Sequence, residues 1–118
     1  MPVKTDNKYG YVNIDDNVIA TIAGLSAMES YGIVGMASKS ATDGFFELLK
    51  WDNLSKGVKV STEGNEVVIS LHVILEYGVR ISVVAENIIE KVKFNVENLT
   101  GLTVNKVNVY VQGIRVEK

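Results

Sequence analysis

The run "VVISLHVILEYG", residues 67–78, does most to limit what this chain can become. Val67, Ile69, Leu71, Val73 and Leu75 recur at every second position, and a period of two places all five on one face of a β-strand. The preceding "GVKVST" leads through "EGNE" into this run, so the two segments read as an antiparallel hairpin. A strand with five large apolar residues on one side needs a cover for that side. Its other side carries Val68, Ser70, His72 and Ile74, a mixture only half suited to water.

Two segments have the helical spacing to provide the cover. Asp15 or Asp16 can cap a first helix in which Val18, Ile19, Ile22, Ala23, Leu25 and Met28 recur at intervals of three and four, and Gly32 in "SYG" suits its left-handed end. The longer segment, "RISVVAENIIEKVKFNVENLTG", carries a stripe of Ile81, Ala85, Ile88, Val92, Val96 and Leu99. Glu86, Glu90, Lys93 and Glu97 fall away from that stripe toward solvent, and Gly101 stops the helix. A third, short helix is expected over residues 42–50, followed by a loop.

The remaining strands are shorter. "YGYVNI" reads as a first strand with Val12 and Ile14 on one face, and "IVGMA" as a second. At the other end Val107, Val109 and Val111 alternate with Asn108, Tyr110 and Gln112, giving one apolar and one polar-aromatic face. Gly113 then shifts the phase, as a bulge would, so that Ile114 and Val116 form the next apolar pair. The first strand–helix–strand unit has a connection long enough for parallel pairing, whereas the hairpin is antiparallel. The expectation is an α+β fold of two layers, a mixed sheet of about five strands with its helices on one face. Ser70, His72, Tyr110 and Gln112 then occupy the face left bare.

Composition sets outer limits. At 118 residues the chain is long enough for one domain, residues 1–118, with a core of its own. Hydrophobic residues make up 47% and charged residues 22%, the balance of a folded globular chain. The formal charge of -2 gives no overall electrostatic footprint for nucleic acid or anionic lipid. Cysteine is absent, which excludes disulfides, thiolate metal sites and cysteine nucleophiles. With no signal-like N-terminus and no membrane-length apolar run, the expected location is cytoplasmic, with a peripheral place at the membrane through a partner as a further option.

No catalytic, metal or cofactor site emerges from the residues. His72 is the only histidine and has no ligand pattern around it, so a structural sheet-face role fits it best. Glu86 and Glu90, one helical turn apart, read as a solvated face. "GIVG" at 32–35 has the spacing of the glycine loop of KH domains, yet Ile and Val fill it, and a helix stop feeding a strand is the simpler reading. Phosphate-loop, dinucleotide and nucleophile-elbow patterns are missing. Phe45, Phe46 and Trp51 cluster within seven residues: either they cover the core, or they form an exposed aromatic ridge that docks a partner. The candidate partner-binding residues are therefore Phe45, Phe46, Trp51, His72, Tyr110 and Gln112.

Three stretches, "GYVNIDDNVIATIAGLSAMESYGIVGMAS", "KGVKVSTEGNEVVISLHVILEYG" and "NLTGLTVNKVNVYVQGI", resemble the alkaline-shock or envelope-stress-response proteins of Gram-positive bacteria. The resemblance covers nearly the whole chain in the family's order and is weakest over residues 40–55. It implies a small cytoplasmic, non-enzymatic protein of envelope stress or homeostasis that acts by protein contacts, including contacts with its own copies. A regulatory partner among enzymes of fatty-acid metabolism is the alternative, and a KH-like nucleic-acid module a more remote one. The family supplies no catalytic residues and no cofactor to carry over.

Overall fold

The computed structural model describes residues 3–36, 57–63 and 66–116. In chain order the elements are β1 (Val3–Asn7), β2 (Gly10–Ile14), α1 (Asp16–Met28), β3 (Ile33–Met36), β4 (Val58–Glu63), β5 (Glu66–Glu76), α2 (Ile81–Thr100) and β6 (Thr103–Arg115). The short helix expected over 42–50, with Phe45, Phe46 and Trp51, lies outside the described residues.

β5 is the axis of the sheet. Val67, Ile69, Leu71, Val73 and Leu75 are all fully excluded from water, as their alternation requires. On one side β5 pairs antiparallel with two strands placed end to end, β4 along its first half and β3 near its end. On the other side β6 runs parallel to it along its whole length. The result is a mixed four-stranded sheet, and β1 and β2 form a separate two-stranded hairpin.

This arrangement corrects one expectation about connectivity. The first strand, helix and second strand do not make a parallel unit, because β2 pairs with β1 and β3 runs antiparallel to β5. The parallel crossover is β5–α2–β6 instead, where a 20-residue helix spans the return path. Val12 accordingly has no sheet to cover and is 58% exposed.

Both helices cover the β5 face that carries the alternating apolar residues. α1 contributes Ile19 and the small side chains Ala20, Ala23 and Ala27, which let it lie close to β3, β4 and β5. Asp15 caps it, its side chain accepting a hydrogen bond from the Asn17 N–H at 3.4 Å. α2 buries Val84, Ile88, Val92 and Val96 and packs on α1 and β6. Ile81 and Leu99, read from sequence as part of the stripe, are 46% and 68% exposed, and Val84 is the buried residue of the first turn instead. Both errors sit at helix ends, where the stripe runs past the edge of the sheet. Between the helices the half-buried Asn95 amide donates to the Ser26 hydroxyl at 2.9 Å, and Ser26 donates to the Ile22 carbonyl.

Two glycines close the turns that hold this packing. Gly101 ends α2 in the left-handed conformation at φ +77°, its N–H bonded to the Glu97 carbonyl. α1 itself stops at Met28, and Gly32 turns a few residues later at φ +89°, where an added Cβ would lie 3.0 Å from a Val84 methyl. A Cβ at Gly101 meets nothing within 4 Å. Gly101→Ala is therefore expected to cost about 1–2 kcal/mol for the backbone alone, and Gly32→Ala more, because the Val84 side chain must also give way. Urea denaturation of the two variants checks the order.

Candidate interaction face and edge

The side of the sheet away from the helices is built by β5 and β6. Their parallel register sets Val68 beside Lys106, Ser70 beside Asn108, and His72 beside Tyr110. Residues in register point the same way, so these side chains share one face. β4 adds Lys59 and Ser61, which pair with Ser70 and Val68. The bare-face occupants expected from sequence, Ser70, His72 and Tyr110, are thus brought together.

At the centre of this face the His72 and Tyr110 rings stack, with centroids 5.1 Å apart and planes inclined by 18°. His72 Nδ1 stands 3.4 Å from the Gly57 carbonyl oxygen, a long contact in which the ring donates when that nitrogen carries the proton. His72, Ser70, Asn108 and Gln112 are half-buried, Ile74 is buried, and Tyr110 remains 47% exposed. The face therefore presents an aromatic ring, held by a second ring, among neutral amides and two lysines. Among the described residues no group of three or more His, Asp or Glu side chains is placed to hold a metal ion.

The phase shift expected at Gly113 is present: Val73 pairs with Val111 and Ile74 with Gly113, so Gln112 is the extra residue. A second bulge, missed from sequence, lies at Asn105, between the pairs Val67–Val104 and Val68–Lys106. Its signal was present in the odd spacing of Val104 and Val107, both of which are buried. Between the bulges Val107, Val109 and Val111 follow Ile69, Leu71 and Val73 in register and pack on the core from the helix side. "GIVG" at 32–35 is a turn and the start of β3, not a loop between two helices.

The beginning of β6 is held by α2. The Val104 N–H donates to Glu97 Oε2 at 2.9 Å, while Lys93 donates to the Val104 carbonyl at 3.0 Å and to the same Glu97 oxygen at 3.2 Å. The backbone bond to Val104, followed by the Lys93 contact, holds the Glu97 carboxyl below the usual glutamate range.

These features define a class: a two-layer α+β module with an aromatic face that no described helix covers and a long sheet edge. Residues 4–116 match the model of the alkaline-shock protein family, described as having a cell envelope-related function, and the chain belongs to that family. It is 47% identical to the uncharacterized protein YloU of Bacillus subtilis over 98% of both chains. It is 49% identical to the uncharacterized protein Spy1614 of Streptococcus pyogenes serotype M6, covering 98% of this chain and 97% of that one. Among solved structures, MamM CTD H264E is similar in fold, with a TM-score of 0.50 at 11% identity over 87% of this chain and 96% of that one. Among the described residues no helix is long and apolar enough to cross a membrane.

A double-mutant cycle of His72→Ala and Tyr110→Ala is expected to return a coupling of about 0.5–1.5 kcal/mol, the range for a ring pair. For Glu97, a depressed folded-state pKa means the unfolded chain binds more protons in acid. Its contribution is fully present above the unfolded glutamate pKa and fades as pH falls through the folded value. Glu97→Gln should lower stability at neutral pH and flatten this part of the acid dependence, measured by urea midpoints across an acid pH series.

Proposed function

We propose that this chain is a non-enzymatic adaptor or scaffold of the cell envelope, a cytoplasmic single-domain protein that works by binding other proteins through the helix-free face. The observation that carries this reading is the His72–Tyr110 stack, which sets a half-exposed tyrosine on that face. Tyrosine offers a large, stiff apolar surface with one polar tip, and interface cores are enriched in it. The surrounding groups are suited to recognition: Ser70, Asn108 and Gln112 are neutral hydrogen-bonding side chains. Membership of an envelope-related family supports the cellular setting. On sequence grounds Phe45, Phe46 and Trp51 form a second proposed contact.

The test is a native pull-down from the source cell with wild-type chain beside Tyr110→Asp, the variant first shown by circular dichroism to be folded. An envelope-associated protein held by the wild type and lost by the variant is the expected result. Equal capture by both sinks the role of this face, and capture that depends on RNA would replace the reading with a nucleic-acid one.

A further inference from the structure

β6 is the longest strand of the sheet, and among the described residues β5 is its only partner. Its outer backbone groups therefore form a long free edge, the kind of surface that pairs with another strand unless it is blocked. Among the described residues, blocking is confined to the ends of its regular part. At the start, Glu97 and Lys93 occupy the N–H and carbonyl of Val104, and the bulges at Asn105 and Gln112 interrupt the ladder on either side. Between them the stretch from Val107 to Val111 is regular, and on its helix side Val109 and Val111 are only half-buried.

We propose that β6 is the seam of a homodimer, pairing antiparallel with β6 of a second copy about a two-fold axis at Val109. Self-complementarity selects this occupant and this centre. With the axis at Val109, Val109 meets its own copy, Val107 meets Val111, and Asn108 meets Tyr110 on the helix-free face. Lys106 falls opposite Gln112, so no two like charges are opposed. Moving the axis to Asn108 sets Val111 against the bulged Asn105, and moving it to Tyr110 sets Val107 against Gly113. Only the Val109 axis keeps every valine against a valine and all five pairs between the bulges. The two four-stranded sheets then join into one of eight strands, and the half-buried valines gain cover from the second copy. This deepens the interaction role proposed above by assigning the edge to self-pairing and leaving the face to other partners.

The absence of cysteine makes the test direct. Full-length chain is examined by sedimentation over a concentration series, and Asn108→Cys and Asn105→Cys are each treated with a short bis-maleimide. In the proposed pairing the two Asn108 positions are diagonal neighbours about 7–8 Å apart, whereas the two Asn105 positions are separated by eight residues of strand, roughly 26 Å. Concentration-dependent dimer is expected, with Asn108→Cys cross-linking at least about tenfold more than Asn105→Cys, because pairing holds its thiols at high effective concentration. A chain that stays monomeric, or a dimer in which both variants cross-link alike, overturns the seam. Tyr110 borders the seam, so Tyr110→Asp is sedimented as well: partner capture lost in a variant that still dimerises supports the face by itself, and the two readings then fail separately.

Discussion

The exclusion of β5 from water is the condition on which everything else depends. Five of its residues, from Val67 to Leu75, are fully buried on one face, and every other strand of the main sheet is bonded to this one. Each such side chain contributes about 1.5–3 kcal/mol when taken out of water, so this strand can exist only with two helices laid across it. α1 meets the requirement with small residues that bring its backbone close, and α2 with a stripe of Val84, Ile88, Val92 and Val96. Gly32 and Gly101 follow from the same demand, since each reverses the chain where a helix has to return to the sheet.

Covering one face leaves the other to a different chemistry. β5 and β6 run parallel, so the residues between the core positions are also in register, and His72 arrives beside Tyr110. The pair sits in a patch whose neighbours are amides, a hydroxyl and two lysines. The parallel crossover also puts the last strand at the rim. Among the described residues no further strand shields it, and its long edge is guarded only at Val104 and at two bulges. Tyr110 belongs to both the face and the edge strand.

Much of this was legible in the residues. The alternation from Val67 to Leu75 marked the central strand and its hairpin, the break at Gly101 marked the end of α2, and the phase change at Gly113 marked a bulge. The family resemblance agrees with the matching family model. What was misread lay at boundaries and in pairing, and β1, in the polar start of the chain, was not read as a strand. Ile81 and Leu99 continue a helical stripe past the sheet that buries it, and periodicity carries no information about where the neighbouring layer ends. Val12 alternates like a sheet residue in a hairpin that stands apart from the main sheet.

By itself, then, the sequence determined β2 to β6 and both described helices, the apolar face of the core elements, and the breaks at Gly101 and Gly113, because these follow from local periodicity and backbone sterics; β1 it did not reveal. Tertiary structure alone decided that β6, and not the early strand, is the parallel partner of β5, that His72 and Tyr110 stack, and that Glu97 and Lys93 close the start of the edge. Those contacts join residues that periodicity alone does not bring together. Their existence depends on register between elements, and register is set by how the whole apolar surface is buried at once.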